Sequence, residues 1–276
     1  MGDELECRSR RLTYPSFPMH LISWNVNGIR AAVKNGFNER LEALAPDVLG
    51  LQETKASDDE VRAAVRACPA ADGYEVFSSS AEKKGYSGTA VLTRVAPVRV
   101  RAGLGNPALD GEGRVLHAEF ADLHFVTVYT PNASEGLKRL PFRSEWDRYF
   151  ADFVRELAAD RPLVVCGDLN VAHTALDLAR PAANYNVTPG YTQTEIDGMS
   201  HLLAHAGLTD MWRMQHPDEV GYSWWSYRGG ARERNVGWRL DYMLANAAAT
   251  ERAGACTLHP DVLGSDHCPV SLEVRL

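Results

Sequence analysis

The chain has 276 residues, of which 45% are hydrophobic, and a formal net charge of −7 at pH 7. This length and apolar content suffice for a large hydrophobic core. The negative charge argues against a protein that coats nucleic acid indiscriminately, because such binding depends on neutralising phosphates. It does not exclude a local basic surface. Two groups of cations suggest one, although a charge run is usually only a solvated face: Lys138, Arg139, Arg143 and Arg148, and Arg228, Arg232, Arg234 and Arg239. The sequence contains no run of about 18 apolar residues, so a membrane span is not predicted.

The beginning of the chain and its cysteines indicate the setting of the protein. Residues 1–19 carry mixed charges and two prolines but no apolar signal region, which predicts a short disordered extension. Five cysteines are scattered without a Cys-x-x-Cys pair, as is typical of a reduced intracellular protein without a zinc site. Residues 20–276 contain no linker rich in proline or serine and are predicted to form one domain.

The first half of the chain alternates strand-like and helical segments. Strands are predicted at 20–26 and 47–52, and helices at 36–44 and 58–67. An antiparallel meander is then predicted from five strand-like runs separated by loop signals, at 74–80, 88–94, 97–101, 115–120 and 123–129.

The second half repeats the alternation. An amphipathic helix is predicted at 142–157, a strand at 163–166 and a helix near 195–205. Four further strands are predicted at 222–226, 239–245, 255–259 and 270–274. Two rounds of strands and helices predict an α/β fold of two packed mixed sheets with helices outside.

Polar side chains cluster where the predicted strands end. Four strands are followed by such groups and the last strand is preceded by them: Asn25 and Asn27, Glu53, Tyr129 and Asn132, Asp168 and Asn170, and Asp266 and His267. Each residue alone is more often an ordinary turn residue. Together they predict a site for a hard cation and a phosphate.

The segment 232–242 leads from a charged loop into an apolar strand, where Asp241 is expected to be buried. A buried acid needs a partner, and His267 is the most suitable one. A carboxylate on one ring nitrogen fixes the tautomer of a histidine and favours its protonated form. The alternative is a salt-bridged loop with a core aspartate.

The candidate ligands indicate the type of metal. Glu53, Asn27 and Asp266 offer oxygens, and the sequence has no Cys/His cluster, which favours Mg²⁺ or Mn²⁺ over zinc. A water polarised near Asp168 would be the nucleophile, and His267 would face the phosphate. The absence of Gly-x-Ser-x-Gly, Walker and Gly-x-Gly-x-x-Gly motifs argues against a serine hydrolase or a nucleotide-binding loop.

Six motifs together resemble the exonuclease III family of apurinic/apyrimidinic (AP) endonucleases. They are Ser-Trp-Asn-Val-Asn-Gly-Ile-Arg (23–30), Leu-Gln-Glu-Thr-Lys (51–55), Gly-Tyr-Ser-Gly (85–88), Gly-Asp-Leu-Asn-Val-Ala-His (167–173), Asn-Val-Gly-Trp-Arg-Leu-Asp-Tyr (235–242) and Gly-Ser-Asp-His-Cys-Pro (264–269). The resemblance implies a four-layered α/β sandwich and Mg²⁺-dependent cleavage of duplex DNA 5′ to an abasic site, leaving a 3′-hydroxyl. It also implies action on blocked 3′ ends, as a 3′-phosphodiesterase, 3′-phosphatase and 3′→5′ exonuclease in base excision repair.

The resemblance further implies roles for individual residues. The implied metal ligands are Glu53, Asn27 and Asp266. Asp168 would activate or orient the water, with Asn170 as its positioning partner. The groups around the scissile phosphate would be Tyr129, Asn132, Asn25 and His267, with Asp241 supporting His267. The implied DNA contacts are Arg30, Tyr86 and Arg114 along the backbone, Asn184 beside the flipped sugar, Arg228 at the base stack, and Trp224, Trp238 and Leu240 in the wall of the sugar pocket.

The sequence departs from the family pattern at the expected DNA contacts. Glu135 stands where the animal enzymes have an arginine that reaches into the duplex, and Arg228 stands where they have a methionine. The loop 181–190 lacks their lysines. The sequence therefore supports the catalytic residues better than the residues that contact DNA.

Two other kinds of protein are alternatives to this family. An inositol-polyphosphate phosphatase or a sphingomyelinase would share part of the polar set but not the motif at 235–242. A non-catalytic DNA-binding relative would not need so many buried polar groups together. The expectation is a monomeric cytoplasmic enzyme, associated with the nucleoid in a prokaryote.

Overall fold

The computed structural model of the protein describes residues 18–276. The predicted extension at 1–19 therefore lies outside the described residues except for its last two. Met19 is buried and begins the first strand, one residue earlier than predicted. Within the described part, no helix is long and apolar enough to cross a membrane.

The strands and helices follow one another along the described chain. The strands are β1 (Met19–Asn25), β2 (Val48–Gln52), β3 (Glu75–Ser79), β4 (Thr89–Thr93), β5 (Arg99–Ala102), β6 (Val115–Glu119), β7 (His124–Tyr129), β8 (Leu163–Asp168), β9 (Leu208–Asp210), β10 (Trp224–Trp225), β11 (Gly237–Trp238), β12 (Asp241–Asn246), β13 (Ala253–Leu258) and β14 (Val270–Val274). The α-helices are α1 (Ile29–Lys34), α2 (Phe37–Leu44), α3 (Asp58–Arg66), α4 (Pro107–Asp110), α5 (Leu140–Ala158), α6 (Pro181–Asn184), α7 (Gln193–Ala206), α8 (Met211–Gln215) and α9 (Ala247–Thr250).

Within residues 18–276, the strands form two six-stranded mixed sheets and one short ribbon of β10 and β11. The first sheet has the order β13-β14-β1-β2-β4-β3 and the second the order β5-β6-β7-β8-β12-β9. In the second sheet β7 runs parallel to β8 and pairs Tyr129 with Asp168, while β12 runs antiparallel to β8 and pairs Asp241 with Asp168. Three polar residues from distant parts of the sequence thus lie side by side at one end of this sheet.

Apolar side chains fill the space between the sheets and cover both outer faces. Between the sheets, Leu21 and Val91 of the first sheet pack with Leu116 and Val164 of the second. Helices α1, α2 and α3 cover the outer face of the first sheet, and α5 and α7 cover that of the second. The predicted four-layered α/β sandwich is confirmed. Each fully buried large apolar side chain contributes about 1.5–3 kcal/mol to this packing.

Helix α5 shows how the sequence determines one outer layer. Its residues Trp146, Phe150 and Val154 are four positions apart and all buried, which is the spacing of one helical face. They pack on the strands of the second sheet. The helix extends the predicted segment 142–157 by two residues at its beginning and one at its end.

The predicted meander is wrong as a single unit, because the chain changes sheets within it. Strands β3 and β4 belong to the first sheet, whereas β5, β6 and β7 belong to the second. The backbone amide of Arg94 still donates to Asp47 beside β2, but that of Val98 donates to Glu119 on β6. Turn signals mark the break between strands but not the change of sheet.

The predicted strands near the end of the chain also differ. The strand predicted at 239–245 begins two residues later, at Asp241, as β12, and the separate short strand β11 ends before it at Trp238. The strand at 222–226 shortens to β10, which pairs with β11. Helices α1, α4, α6, α8 and α9 and strand β9 were not predicted, because each is six residues or shorter and has too little periodicity to stand out.

Two histidines lie buried together on β6 and β7. The Nε2 atom of His117 is 2.9 Å from Nδ1 of His124, whose Nε2 is 3.0 Å from Oδ2 of Asp160. Burial and the neighbouring His124 lower the pKa of His117 to about 4. The unfolded chain binds this proton near pH ~6.5. The stability contributed by neutral His117 is therefore complete above about pH 6.5 and is lost as the pH falls towards 4.

Replacing His117 with phenylalanine removes this titration while keeping a ring of similar size. We expect the free energy of unfolding of His117→Phe to depend less on pH between 6.5 and 4, by up to ~1.4 kcal/mol per pH unit. Urea unfolding of both proteins across this range measures the difference. Parallel stability curves would show that folding does not shift the pKa of His117.

Candidate active site

The ends of the strands open into one cleft of about 610 Å³. Most of the residues predicted for the site line it: Asn27, Glu53, Tyr129, Asn132, Asp168, Asn170, Asn184, Trp224, Arg228, Trp238, Leu240, Asp266 and His267. Asn25 and Asp241 lie directly behind them, hydrogen-bonded to residues of this lining. Arg30, Tyr86 and Arg114 lie outside it.

Asn25 joins two carboxylates at the centre of the cleft. Its Nδ2 donates to Oε1 of Glu53 at 2.9 Å and to Oδ2 of Asp168 at 2.8 Å. Its Oδ1 accepts from the backbone amide of Asn27 at 3.0 Å. Because Asn25 is fully buried at the end of β1, its amide is fixed in place and holds two like charges near each other.

Asp168 is almost completely buried at the end of β8. Burial raises its pKa; the charges of Asp241 and Glu53 act in the same direction, while His267 opposes them. Gly167 makes this position possible, because a β-carbon there would lie 1.9 Å from the carbonyl oxygen of Val128. Only glycine permits the two strands to approach so closely at this point.

The predicted pair of His267 and Asp241 is present. The Nδ1 atom of His267 is 2.8 Å from Oδ2 of Asp241, and its Nε2 is 3.8 Å from Oδ2 of Asp168. Burial alone would lower the pKa of His267, but the charge and hydrogen bond of Asp241, together with Asp168, raise it above its ordinary value. At neutral pH the ring therefore carries both protons and presents Nε2–H to the cleft.

The oxygens around Glu53 attract a cation. Lys55 lies 2.6 Å from Oε2 of Glu53 and also donates to Oδ1 of Asn27. Asp266 joins this group, because its Oδ1 accepts from Nδ2 of Asn27 at 2.9 Å. Carboxylate and amide oxygens in this arrangement fit the ligand set of a hard divalent cation.

A second grouping of possible ligands overlaps with the first. Glu53, Asp168 and His267 each offer one atom, and these atoms lie within 4.8 Å of one another. A metal bound there would need a free lone pair on His267. Since Asp241 and Asp168 favour the doubly protonated ring, this second grouping suits a metal less well than the oxygens of Glu53, Asn27 and Asp266 do.

Tyr129 is held by a buried arginine. Arg114 donates to the carbonyl oxygen of Tyr129 at 2.8 Å and to the hydroxyl of Tyr86 at 2.9 Å, and its guanidinium lies 4.7 Å from the centre of the Tyr129 ring. Arg114 is only 3% exposed. Three of its donors are used inside the protein, by Glu112, Tyr129 and Tyr86, and the expected contact with the DNA backbone stays a prediction. Arg114 positions Tyr129 and Tyr86.

The loops after β7 and β8 are fastened together by amides and by Arg143. Asn132 donates to Oδ1 of Asn170 at 2.9 Å, and the backbone amide of Asn170 donates to Oδ1 of Asp168 at 2.9 Å. Arg143 donates to the carbonyl oxygens of Pro131, Leu169 and Asn170. It thereby fixes both loops from below.

Sequence reasoning missed the role of Arg143, which the charge pattern had placed in a surface group with Arg139 and Arg148. Arg143 is 2% exposed and paired with Asp147 at 2.7 Å. A signal was available, because Arg143 lies at helical spacing from Trp146 and Phe150 on the buried face of α5.

Aromatic and aliphatic side chains form one wall of the cleft. Trp224 and Trp238 meet edge to face with 6.4 Å between ring centres, and Leu240 packs in the same cluster. Trp224 also donates to Oδ2 of Asp266 at 3.1 Å, which ties the wall to the polar groups. Asn184 borders the wall and donates to the carbonyl oxygens of Ala179 and Arg180.

Arg239 lies behind this wall and is also wrongly placed by the charge pattern, which put it on a basic surface. Its guanidinium is 2.8 Å from Oδ1 of Asp177 and 2.8 Å from Oδ2 of Asp210, and it is fully buried. These ion pairs fix the backbone between Trp238 and Leu240, so that both side chains face the cleft.

Three charged residues expected to lie near DNA are exposed. Arg228 borders the cleft, and Glu135 lies in the turn after Asn132. Arg30 pairs with Glu60 at 2.7 Å and, with Tyr86, lines a neighbouring cavity of about 520 Å³.

Comparison with known proteins places this arrangement in a family. Residues 22–267 match the family model described as endonuclease/exonuclease/phosphatase. The chain belongs to the endonuclease/exonuclease/phosphatase family. As a member of this family it shares the metal dependence of the group.

Members of the endonuclease/exonuclease/phosphatase family with curated names are similar over almost the whole chain. An exodeoxyribonuclease of Bacillus subtilis (strain 168) is 43% identical, with 94% of this chain and 100% of the relative covered. The DNA repair nuclease APEX1 of Danio rerio is 42% identical, with 92% of this chain and 81% of the relative covered.

Solved structures of the family are similar as well. The AP endonuclease LMAP of Leishmania major has a TM-score of 0.82 and 30% identity, covering 95% of this chain and 89% of its own. The 3′ phosphatase NExo of Neisseria, bound to a product DNA hairpin, has a TM-score of 0.81 and 28% identity, covering 94% and 100%.

Removing Arg143 tests the support beneath the site. Arg143→Met leaves the partly buried Asp147 without its partner, and we expect a loss of about 3 kcal/mol or more in the free energy of unfolding. The double variant Arg143→Met/Asp147→Leu should recover part of the loss, because neither charge then remains. Chemical denaturation measures both.

Arg148→Met is the matched control, since Arg148 is an exposed arginine of the same helix. It should change stability by no more than about 0.5 kcal/mol. Equal effects of Arg143→Met and Arg148→Met would contradict the assigned role of Arg143.

Proposed function

We propose that this chain is a DNA-repair phosphodiesterase that cleaves duplex DNA on the 5′ side of an abasic site and leaves a 3′-hydroxyl. The observation that carries the proposal is the cleft itself, where the group around Asp168, Glu53 and His267 adjoins an aromatic wall. Relatives named exodeoxyribonuclease and DNA repair nuclease, and a neighbour bound to product DNA, support DNA as the substrate.

The same site suits phosphate groups at blocked 3′ ends. A 3′-phosphoglycolate is a phosphodiester and a 3′-phosphate is a monoester, but in both the phosphorus is bonded to O3′ as in an internal phosphodiester, so one set of groups serves all three. The proposal therefore includes 3′-phosphodiesterase, 3′-phosphatase and 3′→5′ exonuclease activity. Neighbours named as a 3′ phosphatase and a 3′-5′ exonuclease support this breadth.

We assign Mg²⁺ as the metal, held by Glu53, Asn27 and Asp266. Hard oxygen ligands without cysteine favour Mg²⁺, with Mn²⁺ as a substitute. When bound, the cation supplies charge stabilisation to the phosphate oxygens, which is worth several kcal/mol in the transition state.

Asp168 is the proposed base. Its raised pKa brings it closer to neutral pH, where a carboxylate accepts a proton more readily than an exposed aspartate does. Asn25 and Asn170 each engage one of its oxygens and orient it. The oxygen of the attacking water bonds to phosphorus, and its proton passes to Asp168.

His267 and Tyr129 act on the phosphate as donors. His267 presents a protonated Nε2 whose positive charge Asp241 maintains. Burial and the charges of Glu53 and Asp168 raise the pKa of Tyr129 well above its ordinary value, so its hydroxyl stays protonated. Both can donate to the negative charge that develops on the phosphate oxygens as the bond to O3′ breaks. The departing O3′ then takes up a proton and becomes the 3′-hydroxyl.

The aromatic wall accounts for the choice of lesion. A pocket formed by Trp224, Trp238 and Leu240 would accept a flipped deoxyribose without a base and exclude a nucleotide that still carries one. Flipping is also easier where a base is missing, because stacking is already lost. We propose that residues 20–276 act as one catalytic domain and as a monomer on duplex DNA.

The metal assignment is tested by Glu53→Ala. Loss of this ligand should reduce cleavage of an end-labelled duplex with one tetrahydrofuran site by several orders of magnitude, at roughly tenfold per ~1.4 kcal/mol. A chelator should abolish cleavage by the wild-type protein, and Mg²⁺ should restore it. Cleavage at the wild-type rate by folded Glu53→Ala would remove Glu53 from the site.

Asp168→Asn separates chemistry from binding. The amide cannot accept the proton of water, so cleavage should be lost while the duplex is still bound, as measured by fluorescence anisotropy. Loss of binding together with cleavage would mean that Asp168 holds DNA and does not act as a base.

Trp238→Ala tests the pocket. We expect cleavage at tetrahydrofuran to fall and 3′ removal or nicking at ordinary nucleotides to rise, changing the ratio of the two kcat/KM values by more than about tenfold, or ~1.4 kcal/mol. Matched duplexes with either group at the same position provide the measurement.

Trp225→Ala is the matched control, because Trp225 is a buried neighbour that does not line the cleft. It should lower the melting temperature without changing the ratio. If Trp238→Ala only lowered the melting temperature and reduced both activities equally, Trp238 would be a core residue.

A further inference from the structure

The side chain of Lys55 occupies the position where a metal ligand shell is expected. Its Nζ lies 2.6 Å from Oε2 of Glu53 and donates to Oδ1 of Asn27. These two oxygens are among those assigned above to the metal. The ammonium is thus in direct contact with the same atoms that a divalent cation would need.

The backbone directs Lys55 into this position. Glu53 and Lys55 both have left-handed backbone angles, with φ of +53° and +49°. Such angles are uncommon for residues with side chains and persist only where the surroundings enforce them. Here the amides of Thr54 and Lys55 donate to the carbonyl oxygens of Gly88 and Ser87 at 3.1 and 2.9 Å. The segment is therefore anchored on both sides of the turn, and only the side chain of Lys55 is able to leave.

The ammonium also meets an electrostatic need. Glu53 and Asp168 are joined by the neutral amide of Asn25, which separates their charges but does not cancel them. Lys55 is the cation nearest to Glu53, and its charge and hydrogen bond hold the pKa of that carboxyl below its usual range although burial acts in the opposite direction. The side chain of Lys55 is one-third exposed, so it has a path out of the cleft.

We propose that Lys55 is a tethered cation that holds the metal-ligand oxygens in the free protein and that a divalent cation must displace it. A divalent cation in contact with Oε2 of Glu53 and Oδ1 of Asn27 would repel the ammonium strongly at that separation. Lys55 therefore lowers the affinity of the free protein for the metal. The inference rests on the proposed function, because it takes Glu53 and Asn27 as ligands.

Displacement of Lys55 couples metal binding to DNA binding. Once released, the ammonium remains tethered beside the cleft and is available to a phosphate oxygen of the substrate. DNA that engages the released ammonium favours the metal-bound state, and by linkage the metal favours DNA to the same extent. The protein then assembles its full set of charges more readily when substrate is present.

The test measures metal binding without DNA and without activity. Binding of Mn²⁺ to the full-length protein is followed by electron paramagnetic resonance, which detects the free ion. Lys55→Met removes the competing ammonium but keeps a chain of similar length. We expect it to bind Mn²⁺ about tenfold more tightly than the wild type, within the usual range of coupling between two ligands.

Arg234→Met is the matched control. Arg234 is an exposed cation on the lining of the same cleft, and its removal changes the net charge by the same amount. It should change Mn²⁺ affinity by no more than about twofold, since exposed charges are screened. Lys55→Arg, which keeps a cation at the site, should not tighten binding by more than the control.

Two results overturn different claims. If Lys55→Met binds Mn²⁺ no more tightly than Arg234→Met, Lys55 does not compete with the metal and the inference is wrong, while the metal site stands. If Glu53→Gln binds Mn²⁺ as the wild type does, the metal is not at Glu53, and the metal assignment of the proposed function is wrong as well. Loss of Mn²⁺ binding in Glu53→Gln, with tighter binding in Lys55→Met, supports both.

Discussion

Glu53 and Asp168 face each other across the amide of Asn25, and their mutual repulsion is the constraint that the rest of the site satisfies. A second buried acid, Asp241, lies beside Asp168 in the sheet and adds to the negative charge. His267 balances the charge of Asp241, and Lys55 balances that of Glu53, each by a hydrogen bond and an opposite charge. The geometry proposed to bind a phosphate and a cation thus brings two carboxylates close together, which is costly without a compensating charge.

The fold creates this concentration of charge by register. Parallel pairing of β7 with β8 and antiparallel pairing of β8 with β12 align Tyr129, Asp168 and Asp241 across three strands. Arg143 then fixes the loops that follow two of these strands, and Arg239 fixes the wall residues that precede the third. Buried arginines are expensive unless fully paired, so their presence on both sides of the cleft indicates how much rigidity the site requires.

The sequence predicted the layers, most strands and the pair of His267 and Asp241, because these depend on local periodicity and on simple chemical complementarity. It misplaced Arg143 and Arg239, since a cation pattern looks the same on a surface as in a core. Arg239 can be buried because its charge is paired with Asp177, which lies 62 residues away, and no local pattern reveals such a partner. The position of Lys55 depends on left-handed backbone angles, which the sequence Gln-Glu-Thr-Lys does not predict. The change of sheet between β4 and β5 was also not predicted, because it follows from pairing between distant parts of the sequence.

The position of a bound metal distinguishes the two overlapping ligand groups. It thereby tests whether His267 is protonated and the metal binds oxygens. Crystals soaked in Mn²⁺ and measured at the manganese absorption edge would give an anomalous difference peak at the ion. We expect a peak in contact with the oxygens of Glu53 and Asn27, with His267 still hydrogen-bonded to Asp241 and free of metal. A peak bonded to Nε2 of His267 would show that this nitrogen is unprotonated, and the proposed metal site and charge of His267 would then be wrong.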